Sequence, residues 1–166
     1  MPEIPIPFTI RPLTTDDLPS CTWSGTPTHL RYVRAELARA DRGEIDYLAL
    51  CPPSDLPVGL AYIDWTDDED VGTIAQLTIH PALRGCGLGT FLVRAAEERI
   101  RARRRNRAEL AVETTNRRAR ALYDRLGYRA YGETRAAWDT ETPDGRVVRH
   151  EATMTLMRKS LRLPAR

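Results

Sequence analysis

The run LTIHPALRGCGLGT, residues 77–90, decides the fold of this chain. A strand-like segment ends at His80-Pro81, a short loop follows, and glycines alternate at Gly85, Gly87 and Gly89 before a helix begins. Leu88, Phe91, Leu92, Ala95, Ala96 and Ile100 share one helical face, with Arg94, Glu97, Glu98 and Arg101 opposite. Strand, glycine turn and helix start together build an anion site. The first helical N–H groups are free, the helix dipole adds positive charge, and glycine lets the backbone approach a phosphate without a Cβ. Arg84 adds a cation at the loop's entry. No Gly-Lys-Ser/Thr follows, and the G-x-G-x-G spacing differs from the dinucleotide fingerprint, so neither nucleotide motif applies. The competing reading is a turn that only reverses the chain.

A second segment, AELAVETTNRRARALYDRLGY at 108–128, reads as strand, cap and short helix. Asn116 suits an N-cap, where its side chain satisfies a free helix N–H. Ala119, Leu122, Tyr123 and Leu126 share one face, and Gly127 stands where a left-handed C-cap residue is expected.

With both segments read, the chain resembles the GNAT superfamily of N-acetyltransferases. Leu77-Thr78-Ile79-His80-Pro81 followed by Arg84-Gly85-Cys86-Gly87-Leu88-Gly89 is similar to its acyl-CoA block, R/Q-x-x-G-x-G/A after a strand. Asn116, Ala119, Leu122-Tyr123 and Leu126-Gly127-Tyr128 are similar to its second block, N-x-x-A-x-x-L-Y-x-x-x-G-F/Y. The blocks stand in family order and cover the central third of the chain.

The resemblance implies acetyl transfer from acetyl-CoA to a primary amine by direct attack in a ternary complex. It implies that the pyrophosphate sits on the main chain of Arg84, Gly85, Cys86, Gly87, Leu88, Gly89 and Thr90. The pantetheine then runs along Leu77, Thr78 and Ile79, and Asn116 touches the cofactor as well as capping its helix. A bulge in the fourth strand would free an N–H near Leu77 for the developing oxyanion. Tyr123 matches the family position whose phenol protonates the departing thiolate; its alternative is a core aromatic.

The general base is less determined. Some family members carry a glutamate early in the fourth strand, near Thr73 here, and others one on the fifth strand, at Ala111 here; neither place holds a carboxylate. Glu113 lies two residues beyond Ala111 and so shares its face in an extended strand. Asp70 is a second candidate, acting through water, and a base-free water chain is a third. A ping-pong route through Cys86 is disfavoured, because the loop should face phosphate and not the acetyl group.

Composition bounds the rest. A chain of 166 residues with 42% hydrophobic content suits one soluble domain, 1–166 with its core at about 8–160. A net charge of +2 gives no global case for nucleic acid. The N-terminus lacks signal-peptide character and no run is long enough to span a membrane, so a cytoplasmic enzyme is expected. Cys21, Cys51 and Cys86 are widely spaced, read as reduced thiols, and with the scattered His29, His80 and His150 predict no metal site.

Strands are expected at 8–13, 47–51, 58–65, 73–79 and 109–113, with a helix at 29–40 and a loop at 19–28. A C-terminal hairpin pairs 128–138 with 147–159 across the turn 142–145, and 161–166 is a loose tail. The fold class is therefore α/β, a mixed, mostly antiparallel central sheet flanked by helices. The resemblance adds a fourth and fifth strand splayed apart.

The acceptor is expected to be a small-molecule or peptide amine. The acidic turn 67–70 is a candidate attractor for it, or simply a solvated turn, and Trp23, Trp65 and Trp138 are candidate pocket walls or core residues. The arginine run Arg101, Arg103, Arg104, Arg105 and Arg107 raises nucleic-acid binding as a rival, disfavoured because solvated cations complement a helix C-terminus and no aromatics interleave for base stacking. The remaining alternative is a non-catalytic acyl-CoA-binding or protein-interaction module. A homodimer through the C-terminal strands is the expected assembly by fold analogy.

Overall fold

The computed structural model describes residues 1–163. Seven strands form one sheet in the order β1-β2-β3-β4-β5-β7-β6. The strands are β1 (Thr9–Pro12), β2 (Ile45–Cys51), β3 (Gly59–Asp64), β4 (Val71–Ile79), β5 (Arg107–Glu113), β6 (Arg129–Glu141) and β7 (Val147–Ser160). Every neighbouring pair is antiparallel except β4 and β5. The helices are α1 (Pro27–Asp41), α2 (Leu88–Ala102) and α3 (Arg117–Arg125).

β2 is apolar from Tyr47 to Cys51 because both of its faces are covered there. Leu48 and Leu50 face one core, built with Leu92, Val93, Ala96 and Ile100 of α2 and Tyr123 of α3. Tyr47, Ala49 and Cys51 face a second core with Val33 and Leu37 of α1. α2 lies directly on β4: a Cβ at Gly72 would come within 2.5 Å of Ile100. The Glu97 carboxylate is buried on this side, accepting from the Tyr128 hydroxyl at 3.1 Å and from Lys159 Nζ at 2.9 Å.

Two features of β4 position the site. Its register against β3 jumps from Leu60↔Thr78 to Tyr62↔Ala75, so Ala61 opposes both Gln76 and Leu77. Gln76 takes the left-handed region at φ 55°, an uncommon conformation for a side-chain-bearing residue. Past Thr73↔Glu109, β4 has no pairing with β5, which stays with β7 as far as Glu113↔Met154. The two strands therefore splay at their C-terminal ends, where open α/β sheets place ligands.

Three segments differ from expectation. α1 starts two residues earlier than expected, since Thr26 caps it by accepting from His29 N–H and Pro27 occupies the first turn. The expected loop 19–28 contains a short 3-10 turn, Thr22–Ser24, and is preceded by another, Thr15–Ser20, that overlaps it only at its last two residues. The expected loose tail begins fixed: Leu161 is buried and its N–H donates to the Asn106 carbonyl at 2.7 Å. Its end, 164–166, lies outside the described residues.

Candidate active site

Gly87 is the N-cap of α2, with φ 82°, and Gly85 has φ 77°. Both are left-handed, a conformation that glycine alone adopts without cost. This geometry swings the loop so that the first N–H groups of α2 open into a cleft of about 490 Å³. Leu77, Thr78 and Ile79 line one wall; Arg84, Gly85, Gly87, Leu88, Gly89 and Thr90 form the end. α3 forms the other wall and brings Arg118 and Arg125 with it. The Arg118 guanidinium lies 3.6 Å from where a Gly85 Cβ would be, so it reaches over the loop. Cations, free helix N–H groups and absent Cβ atoms suit a diphosphate. The unpaired edge of β4 and the apolar Leu83, Ala119 and Leu122 suit a pantetheine chain. The residues fit CoA.

A second cleft of about 830 Å³ opens on the other side of the splay. Its lining comes from Thr28, His29 and Tyr32 of α1, the β4 bulge, Ala111 to Glu113 of β5, and Trp138, Asp139, Arg149 and Met154 of the β6–β7 hairpin. Glu141 ties the hairpin down by accepting from the Thr28 main-chain N–H at 2.7 Å and from its hydroxyl. Those two donors hold the Glu141 carboxyl below the usual carboxylate range. Burial pushes the His29 imidazole down, which favours its neutral form. The Tyr32 hydroxyl pairs with that of Tyr62 at 2.9 Å.

The two clefts share Leu77, Asn116, Ala119 and Tyr123. Asn116 caps α3 by accepting from Ala119 N–H at 3.1 Å. Tyr123 is 7% exposed, stands edge-on to Tyr128 at 5.9 Å, and no hydrogen bond among the described residues uses its hydroxyl. Burial pushes its phenol up to about 12, so it is a proton donor at any working pH. A buried donor, a strand bulge and two converging cavities together suit group transfer between two substrates.

The acetyltransferase (GNAT) family model matches residues 11–128. The chain belongs to the GNAT acetyltransferase family. Its likeness to solved GNAT-type enzymes extends over nearly the whole fold. The ribosomal-protein-S18-alanine N-acetyltransferase of Escherichia coli superposes with a TM-score of 0.71 at 21% identity, covering 95% of this chain and 96% of that one. The spermidine N-acetyltransferase of Vibrio cholerae, solved with CoA and spermine, gives 0.69 at 14% identity over 93% and 95%. A curated relative, the mycothiol acetyltransferase of Beutenbergia cavernae, is 44% identical over 61 residues. That match spans 37% of this chain and only 20% of the relative's length.

Against this GNAT frame, the structure sorts the candidate residues. Those expected to bind the cofactor line the first cleft, apart from Cys86, whose side chain is exposed and whose thiol turns to the Arg84 carbonyl at 3.8 Å. Glu113 lines the second cleft beside Ala111. Asp70 does not: it sits at the opposite end of β4, bound to Asn106 Nδ2 at 2.7 Å, which removes it as a base. The acidic turn 67–70 is at that same remote end and cannot line the acceptor space.

Of the tryptophans only Trp138 lines the cleft. Trp65 is buried in the core, and Trp23 donates to the Pro57 carbonyl at 3.1 Å. The arginine run is not simply solvated. Arg105 donates to the carbonyls of Trp65, Asp68 and Val71, and Arg103 stacks on Trp65 at 4.2 Å while reaching Asp46. These arginines serve the fold, which further weakens the nucleic-acid reading. Among the described residues no cluster of ligating side chains suits a metal, and no helix is long and apolar enough to cross a membrane.

Sequence reasoning missed Arg118 and Arg125. Their signal was present, since 118, 122 and 125 share one face of α3 beside the glycine loop. It also missed Thr28, His29, Tyr32, Gln76 and Arg149, which meet only through tertiary folding.

Proposed function

We propose that this protein transfers the acetyl group of acetyl-CoA to a primary amine, small-molecule or peptide, by direct attack in a ternary complex. The observation that carries the reading is the meeting of two clefts at Leu77, Asn116, Ala119 and Tyr123. One cleft fits CoA. The other brings an amine to the same point from the opposite side. Aromatic walls at Tyr32 and Trp138 with the Glu113 carboxylate favour a protonated amine on an apolar body.

In this mechanism the α2 N-terminus and Arg84, Arg118 and Arg125 hold the phosphates. The bulged main chain at Leu77 directs an N–H to the acetyl oxygen, where negative charge develops. Glu113 draws a proton from the amine, whose nitrogen then attacks the acetyl carbon. As the C–S bond breaks, Tyr123 donates to the sulfur. The site works where CoA is supplied, in the cytoplasm, and β6, the outer strand of the sheet, is the surface through which a homodimer would form.

Initial velocities of CoA release across an amine library test the reading. Intersecting double-reciprocal lines are expected for a ternary complex. Parallel lines would restore an acetyl-enzyme at Cys86, and absence of turnover with every amine would leave a non-catalytic acyl-CoA-binding module.

A further inference from the structure

Resting on the acetyltransferase reading above, we propose that His150 is a positioning residue that backs Glu113, so that the amine's proton leaves through a Glu113–His150 relay to solvent.

Glu113 ends β5 and lines the acceptor cleft. His150 stands on β7, and its Nε2 lies 3.1 Å from Glu113 Oε1. The imidazole is itself braced: its ring packs on Trp138 at 4.7 Å, the residue opposite it in the β6–β7 register. Three strands thus converge on one carboxylate. The inner end of the pair faces the cleft through Glu113, and the outer end is open to water, His150 being 44% exposed against 30% for Glu113.

Chemistry gives the pair a purpose. An ammonium holds its proton far more tightly than a carboxylic acid does, so a lone carboxylate is a weak base for it, and an imidazole as a chemical class is the stronger base of the two. In the relay the ammonium N–H bond breaks and its proton goes to a Glu113 oxygen. The carboxyl proton then passes to Nε2, with Nδ1 carrying the ring's own proton, and the imidazolium is left ion-paired to the restored carboxylate. Water at the exposed ring removes the proton, and no other reactant is needed.

The charged residues flanking His150 in the hairpin face one another across it. Asp139 on β6 and Arg149 on β7 face each other at 3.9 Å, and Glu151 on β7 faces Arg135 on β6 at 3.9 Å. Glu113, on β5, is the carboxylate that reaches the imidazole.

The test uses the intact protein, acetyl-CoA and 2-phenylethylamine as probe amine, with CoA release read from pH 5.5 to 9. His150→Gln keeps a hydrogen-bonding amide beside Glu113 but cannot carry the proton. It is expected to lose about 10- to 100-fold in kcat/KM at neutral pH and to lose the acid limb of the wild-type profile, with acetyl-CoA affinity by calorimetry unchanged. Glu113→Gln should do the same, and the double variant should be no worse than Glu113→Gln alone. Trp138 supplies a readout independent of turnover. Imidazolium formation beside an indole quenches its emission, so wild type should dim more on acidification than His150→Gln or Trp138→Phe, the dimming left in the variants coming from Trp23, which packs on His80 at 5.3 Å. A His150→Gln enzyme with the wild-type pH profile overturns the relay and leaves the acetyltransferase reading standing. Wild type that binds acetyl-CoA yet releases no CoA with 2-phenylethylamine or any other amine of the library overturns both.

Discussion

Tyr123→Phe removes one oxygen from the point where the two clefts meet. The ring and its edge contact with Tyr128 at 5.9 Å remain, and no protein group loses a partner. Unfolding free energy should therefore change by less than about 1 kcal/mol. The catalytic effect follows from the phenol's acidity. Burial pushes it up to about 12. A thiol sits near 8.5, so the two lie about 3.5 pH units apart, or ~5 kcal/mol against complete proton transfer. In the proposed mechanism Tyr123 would therefore act chiefly by donating a hydrogen bond as charge builds on sulfur, not by handing over its proton early. That places its contribution near the low end of acid catalysis, about 100-fold in kcat, or ~2.7 kcal/mol. Steady-state CoA release with a thiol reagent measures kcat, and calorimetry measures acetyl-CoA binding. A kcat within threefold of wild type at unchanged affinity would refute the assignment.

Other consequences are as direct. Lys159→Met leaves the buried Glu97 carboxylate with the Tyr128 hydroxyl and, at 3.8 Å, the half-exposed Arg101 guanidinium, and a loss of about 3 kcal/mol in urea unfolding is expected; a loss under 1 kcal/mol would mean that Arg101 or water compensates the carboxylate. Arg118→Ala should weaken acetyl-CoA binding about fivefold to tenfold and flatten its salt dependence, whereas an unchanged affinity would place the phosphates away from α3. Stability should begin to fall above about pH 8.5 and fall further above about pH 10, because burial raises the Cys21 thiol to about 11, raises that of Cys51, raises Tyr123 to about 12 and raises Tyr47, Tyr62 and Tyr128 further, so the unfolded chain ionises first. A urea midpoint constant to pH 11 would contradict that sign.

The cofactor half of the site was readable because its parts are local. Alternating glycines, the apolar stripe of α2, and the Asn116-to-Gly127 frame of α3 each specify a conformation within a few residues. The acceptor half was not, because it is assembled from four distant segments. Nothing in the neighbourhood of His29 or Arg149 signals that α1 and the β6–β7 hairpin will face each other. Strand ends were missed by two residues at Arg107 and by one at Ser160, where flanking polar residues still pair in the sheet. Asp70 and Arg105 misled for a shared reason: a charged residue in a turn reads as solvated or reactive. Here each instead satisfies main-chain groups where β4, α2 and β5 come together.

The central claim is that the glycine loop at the start of α2 holds the diphosphate of acetyl-CoA. Isothermal titration of acetyl-CoA into wild type and Gly87→Asp tests it. Aspartate tolerates the left-handed conformation at φ 82° better than most residues, and a Cβ there meets nothing within 4 Å, so the fold should survive. Its carboxylate would oppose the phosphates. Saturable binding by wild type, lost in a variant whose circular dichroism is unchanged, is the predicted result. Equal binding by both proteins would contradict the assignment of the loop.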